Sequence, residues 1–235
     1  MTSILHDRLG FVFIATFPAG IWQTNCYLIA KDETSPVVVI DPGVDAADVV
    51  RKTLAERNMK IGAVIATHGH IDHIASAALL ANEAKVAMWM HPGDVFMLTD
   101  PVAGLGESSR GLLTELGLLS LDEPELREEF SDGQELSTCG LDFKIHHFPG
   151  HSPGCVNLVT ETEQAPLVFT GDVLFNGSIG RTDLPGSDPN QMRNSLKRLV
   201  EKLPSDAMLA PGHGPTSTMQ EELANNAFLT GRAGF

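Results

Sequence analysis

The chain has 235 residues, 43% of them hydrophobic and 20% charged, enough for a sizeable buried core in one domain spanning residues 1–235. A formal net charge of −14 argues against nucleic acid or an anionic membrane as partner, since both are themselves negative. Three cysteines, Cys26, Cys139 and Cys155, are odd in number and widely spaced. They read as buried structural thiols, not as a disulfide framework or a Cys-x-x-Cys zinc site. MTSILHDRLG places His, Asp and Arg where a signal peptide needs an apolar run. The run FVFIATFPAGIWQTNCYLIA is interrupted by Pro18, Gly20, Gln23, Thr24 and Asn25 and is too broken to span a membrane. A reduced, cytoplasmic setting is the default expectation.

In chain order, residues 11–17, 25–30 and 37–40 read as strands, the last ended by DPG at 41–43. Residues 44–58 read as a helix with Ala47, Val50 and Leu54 on one side. The apolar run 63–66 suits a strand buried on both faces. After ATHGHIDHI, the spacing of Ile71, Ile74, Ala75, Ala78 and Leu79 predicts a helix beginning near Asp72. Residues 86–90 are a further strand. The leucine-rich run GLLTELGLLSL, in the irregular stretch 101–130, is expected to pack on the core. Strands follow at 141–148, 156–160 and 167–170. Ser187 or Asp188 then caps a helix with Pro189 in its first turn and a stripe of Met192, Leu196, Leu199, Val200 and Leu203. A strand at 207–210 and a helix at 219–228 complete two similar halves, expected to pack sheet on sheet with helices outside.

Five of nine histidines lie in glycine-containing loops after expected strands: His68, His70 and His73 in THGHIDH, His151 in PGHSPG and His213 in PGHGP. Asp172, in TGDVLF, sits likewise. Rigid scaffolds place functional groups in such loops. His68 and His70, two apart, point the same way in an extended segment, whereas Asp72 and His73 leave as the chain turns into a helix. One loop can therefore feed two neighbouring cations, with His151, Asp172 and His213 available to complete them. Imidazole and carboxylate suit zinc, iron or manganese, and Asp172 can bridge. H-x-H-x-D-H arises by chance on the order of once per thousand chains of this composition, which favours a metal site over scattered structural histidines. The other histidines read as structural or exposed. His6 is terminal, His91 precedes a proline, His146 is expected to face solvent, and His147 to pack with Phe143 and Ile145.

DPG at 41–43, THGHIDH at 67–73, PGHSPG at 149–154, TGDVLF at 170–175 and PGHG at 211–214 together resemble the metallo-β-lactamase-fold superfamily. The resemblance implies a four-layer αβ/βα sandwich with two divalent metal ions, zinc first and iron or manganese as alternatives, at one edge. It assigns one metal to His68, His70 and His151 and the other to Asp72, His73 and His213, with Asp172 shared and Asp41 orienting a ligand histidine. FTGDVLFNGSIGRTDLPG at 169–186 resembles the glyoxalase II-like hydrolases of that superfamily. Only 22 residues follow His213, which is short for the helical glutathione-reading domain of full-length members, so the short, single-domain members are the expected likeness.

The expected reaction is hydrolysis of a small 2-hydroxyacyl thioester to acid and thiol by a hydroxide shared between the cations, positioned by Asp72. A thiolate with a pKa of about 8.5 leaves without a general acid. Arg181, Asn176 and Lys144 are candidate substrate contacts. GRTD at 180–183 also resembles Fe(II) persulfide dioxygenases, in which His68, His151 and Asp172 would form a facial triad. A non-catalytic metal-binding module is the third reading. The sequence leaves the thiol carrier and the oligomeric state open.

Overall fold

The computed structural model describes residues 13–235 and the two-residue strand Ser3–Ile4. His6 and the start of the strand expected at 11–17 lie outside the described residues.

Seven strands form a first sheet in sequence order: Ser3–Ile4, Phe13–Ala19, Thr24–Ala30, Val37–Ile40, Ile61–Ile65, Met88–Met90 and Arg127–Glu129. The first four pair antiparallel. From Val37–Ile40 onward the pairing is parallel. Parallel neighbours need crossovers, and the helices Ala46–Glu56 and Ala77–Ala84 supply the first two. All four residues of Val37–Ile40 are buried, because this strand is covered on both faces.

The second sheet runs Ser217–Thr218, Met208–Pro211, Leu167–Gly171, Val156–Thr160, Leu141–His147, Glu135–Thr138. Its one parallel pair, Leu167–Gly171 with Met208–Pro211, is crossed over by the helix Pro189–Lys202. A small hairpin, Leu174–Phe175 with Ser178–Ile179, stands apart from both sheets.

Strand alternation sorts the core into layers. Tyr27, Ile29, Val38 and Ile65 of the first sheet meet Phe143, Ile145, Leu158 and Phe169 of the second. The opposite face of the first sheet packs Val39 and Val64 on Val50, Leu54, Ala78 and Ala81 of its two helices. The opposite face of the second packs Val168 and Leu209 on Met192, Leu196 and Leu199. The result is a four-layer αβ/βα sandwich. Each fully buried large side chain, such as Phe143 or Phe169, contributes roughly 2–3 kcal/mol relative to exposure.

Several expectations need correction. The helix begun near Asp72 is two helices, Ile71–Ile74 and Ala77–Ala84. Between them the Ser76 amide donates to Pro42 O and its hydroxyl to Gly43 O, diverting the chain onto the DPG loop. Val200 is 40% exposed, because the buried stripe of its helix runs through Met192, Leu196 and Leu199 and leaves it on the rim. His146 is buried, not solvent-facing: it stacks on Phe148 on the outer face of the second sheet, where Arg198 also covers Phe148. Cys139 is only half-buried, in the left-handed turn before Leu141–His147, whereas Cys26 and Cys155 are buried thiols. In the run 111–121 only Leu113 is fully buried, packing with Val102 on Ile71, while Leu112 and Leu119 face outward. Among the described residues no helix is long and apolar enough to cross a membrane.

Candidate metal centre

The five loop histidines and both acids meet at one edge of the sandwich, each just past the C-terminal end of a strand. Thr67–His70 leaves the strand Ile61–Ile65. His70 is extended (φ −66°, ψ 144°) and caps the helix Ile71–Ile74, which carries Asp72 and His73. His151 follows Leu141–His147, Asp172 follows Leu167–Gly171, and His213 follows Met208–Pro211. Residues far apart in sequence thus converge because the strand ends of both sheets share an edge.

His70 Nδ1 lies 3.1 Å from His68 Nε2 and 2.9 Å from His151 Nε2. His213 Nε2 lies 3.2 Å from Asp72 Oδ2, and His73 Nε2 is 3.5 Å from the same oxygen. Asp172 stands between the two sets. Its Oδ1 is 3.4 Å from His73 Nε2, and its Oδ2 is 3.5 Å from both His151 Nε2 and His213 Nε2. Among the described residues, three groups are close enough to hold an ion: His68, His70 and His151; His68, His73 and Asp172; and Asp72, His73 and His213. Gly212 makes room for this, since a Cβ there would fall 2.2 Å from Asp172 Oδ1.

The hydrogen bonds behind the rings decide which nitrogens face inward. His73 Nδ1 donates to Asp41 Oδ2 (2.9 Å), His151 Nδ1 to Arg181 O (2.8 Å) and His213 Nδ1 to Trp22 O (3.1 Å). His68 Nδ1 faces Thr67 Oγ1, whose own proton goes to Asp41 Oδ2. With Nδ1–H so engaged, each Nε2 points into the cluster, as it does in a ligating imidazole. His73 Nε2 and Asp172 Oδ1 are buried without a hydrogen-bond partner and face one another. Ring nitrogens about 3 Å apart are spaced as neighbours on a cation bound at roughly 2.0–2.1 Å. The residues therefore fit a metal site.

Electrostatics agree. Burial, reinforced by neighbouring imidazoles, pushes His68 well below the ordinary histidine value and His70 down to about 3, so both are neutral donors. Burial also opposes charge on His73, but Asp72, Asp172 and Asp41 overcome it and hold its pKa well above the ordinary value. Burial opposes ionisation of Asp72 and Asp172 too, yet His73 and its neighbours hold both below the usual carboxylate range. The acids demand positive charge, which a proton on His73 supplies and a divalent cation would supply better.

Above the cluster lies a cleft of about 390 Å³ walled by Trp22, Leu105, Phe175, Ile179 and Leu184. Of the three candidate substrate residues only Arg181 reaches it, and its guanidinium is already held in a two-pronged ion pair by Asp183 (2.6 and 2.7 Å). Asn176 is not there: it sits on the hairpin turn and donates to Thr216 O. Lys144 is not there either. Its neighbours Phe143 and Ile145 face the inter-sheet core, so Lys144 faces outward, into a groove with Asp142 and His146. His147 is not core but half-buried, stacked on His91 (3.9 Å) and donating to Pro153 O in the His151 loop.

Sequence reasoning missed Thr24, whose hydroxyl donates to Asp72 Oδ2 (3.0 Å), and Thr67, which joins Asp41 to His68. Nothing local marks either residue, since the partners are 48 and 26 positions away. It also missed the apolar cleft walls. Trp22, in the turn before Thr24–Ala30, was the one legible signal, as a large aromatic side chain at a strand end.

A sandwich of this kind, with His and Asp groups able to bind metals gathered at its edge, is the architecture of a metallo-hydrolase superfamily. The chain belongs to the metallo-beta-lactamase superfamily, whose family model matches residues 19–231. Hydroxyacylglutathione hydrolase GloC of Haemophilus influenzae is 32% identical over 94% of this chain and 99% of that protein. The crystal structure of the BLEG-1 B3 metallo-beta-lactamase is similar with a TM-score of 0.80 at 33% identity, covering 92% of this chain and 99% of that one. TTHA1623 in a di-iron-bound form has a TM-score of 0.70 at 34% identity, covering 90% and 98%.

Proposed function

We propose that the chain is a metal-dependent hydrolase of small acyl thioesters, cleaving an S-2-hydroxyacyl thiol to the 2-hydroxy acid and the thiol. The observation that carries this is the pair of His/Asp sets sharing Asp172 on the floor of an apolar cleft. The similarity to GloC over nearly the whole of both chains supports the substrate class. His68, His70 and His151 would hold one divalent cation and Asp72, His73 and His213 the other, with Asp172 contacting both. Zinc suits this donor set, and the di-iron form of TTHA1623 keeps iron among the candidates. When bound, such a pair supplies a water acidic enough to act as nucleophile near neutral pH and a Lewis acid for the carbonyl oxygen.

The chain's own groups do the rest. Asp72, held by Thr24, aims a carboxylate into the cluster and positions the attacking water. Asp41 fixes the tautomer of His73. Trp22, Leu105 and Phe175 shield the reacting carbonyl from bulk water. Apart from the ligands, the cleft lining holds no carboxyl or lysine side chain among the described residues. That suits a thiolate, which leaves without protonation.

The test is turnover of S-D-lactoylglutathione by metal-loaded protein, with and without dioxygen. Release of thiol and acid in equal amounts, without oxygen uptake, is the expected result. Oxygen-dependent formation of sulfite from a persulfide, or hydrolysis of a β-lactam with none of the thioester, overturns the proposal.

A further inference from the structure

The two loops that make the three-histidine set come from different sheets, yet His70 and His151 meet at 2.9 Å. A buried carboxylate joins those loops through hydrogen bonds that involve no ring. Asp94 lies at the end of the tight turn Pro92–Asp94, just after the strand Met88–Met90, and has no exposed surface. Its Oδ2 accepts from the Gly69 amide (2.8 Å) and from the Ser152 hydroxyl (2.6 Å). Its Oδ1 accepts from the Gly154 amide (2.6 Å). Gly69 lies between His68 and His70. Ser152 and Gly154 flank the turn after His151. One acid therefore pins both loops by their backbones.

The glycines belong to the same device. A Cβ on Gly69 would fall 2.7 Å from Asp94 Cβ, and one on Gly154 would fall 2.6 Å from its Cγ. Both loops can approach the carboxylate only without side chains at these positions. Two of the three donors are main-chain N–H groups, which cannot turn away to find another partner. A second bridge between the two loops, from the Val156 amide to Thr67 O (2.9 Å), lies at the strand ends and does not join the ligand-bearing tips.

We propose that Asp94 is a positioning residue that locks the His68–His70 loop to the His151 loop and so sets the metal affinity of the three-histidine set. The proposal rests on the reading of that set as a metal site. It assigns no such role to Asp94 at the second set: Asp72 and His73 continue from the same segment but ride on the helix Ile71–Ile74, and none of the Asp94 hydrogen bonds reaches that helix or the His213 loop. Asparagine at position 94 has the same shape but one acceptor fewer. Its NH2 group must face either Gly69 N–H, which frees the His68–His70 loop, or Gly154 N–H, which leaves the His151 loop held by the Ser152 hydroxyl alone.

The experiment is Co(II) titration of the metal-free full chain against a chromophoric chelator. It is run in a His213→Ala background, to isolate the three-histidine set, and in a His70→Ala background, to isolate the other. Asp94→Asn is expected to weaken Co(II) binding about ten- to a hundredfold in the first background and to change it less than about threefold in the second. Ser152→Ala removes one donor, keeps the acid, and is expected to weaken the first background severalfold; it decides the matter should Asp94→Asn not fold. Unchanged affinity in the first background, or equal loss in both, overturns the proposal, because a merely structural acid would not discriminate between the sets. If the unsubstituted chain binds no Co(II), the metal reading fails first and Asp94 loses its role with it.

Discussion

His73 sits among three carboxylates while His68, its neighbour at 4.1 Å between ring centroids, has none bonded to it. That asymmetry should give the two candidate metal sets different responses to acid. His73, with its pKa raised, holds a proton near neutral pH when no cation is present, so a cation entering beside it must expel that proton. His68 and His70, with theirs lowered, have none to lose. Burial opposes charge on His213 too, but Asp72 and Asp172 raise its pKa, so affinity at the Asp72, His73 and His213 set should fall at least about tenfold per unit as pH drops from about 8 to 6, one or more protons being released per ion. Metal titrations at several pH values check this, and a slope no steeper there than at the three-histidine set contradicts it. Asp72 is the second residue to test. Asp72→Asn keeps the shape and the Thr24 contact but removes the charge, and turnover should drop at least about a hundredfold with the fold intact by circular dichroism. The residues that meet at this edge could be picked out because they sit in short motifs after strands, five of the seven beside a glycine. The outer partners Thr24, Thr67 and Asp94 were not, being ordinary polar residues whose meaning lies in contacts made across the fold.

Among elements, the strands buried on one or both faces could be read closely: Val37–Ile40 and Val156–Thr160 match their expected ranges, and others differ by one or two residues at an end. Their apolar pattern is the cause of their burial, so pattern and structure coincide. Arg127–Glu129 could not be read, because all three of its residues are exposed and it is held by backbone pairing to Met88–Met90. The hairpin Leu174–Phe175 with Ser178–Ile179 was equally hidden in its length, yet it bears two walls of the cleft. Its turn is anchored from outside: Glu222 accepts from the Gly177 amide, and Asn226 donates to Ser178 O. Both anchors ride on or beside the helix Met219–Asn225, which starts with a capping box between Thr218 and Glu221. Thr218→Ala should destabilise the protein by about 1 kcal/mol in urea unfolding, because Glu221 N loses its acceptor. No change in the midpoint would mean the cap does not hold this helix.

At the scale of the molecule, two half-sandwiches meet so that their strand ends share one edge, and the site exists only where they meet. The repetition of strands and βα units along the chain made the layered sandwich readable. The cleft above it was not, because Trp22, Leu105, Phe175 and Leu184 come from four separate segments and none marks the others. The account stands on those seven ligand positions forming one dinuclear centre. Anomalous X-ray diffraction from crystals of the metal-loaded protein tests it most directly. It predicts two peaks per chain, roughly 4 Å apart, one among His68, His70 and His151 and the other among Asp72, His73 and His213, with Asp172 between them. A single peak per chain from metal-saturated protein, or peaks away from these residues, would contradict it.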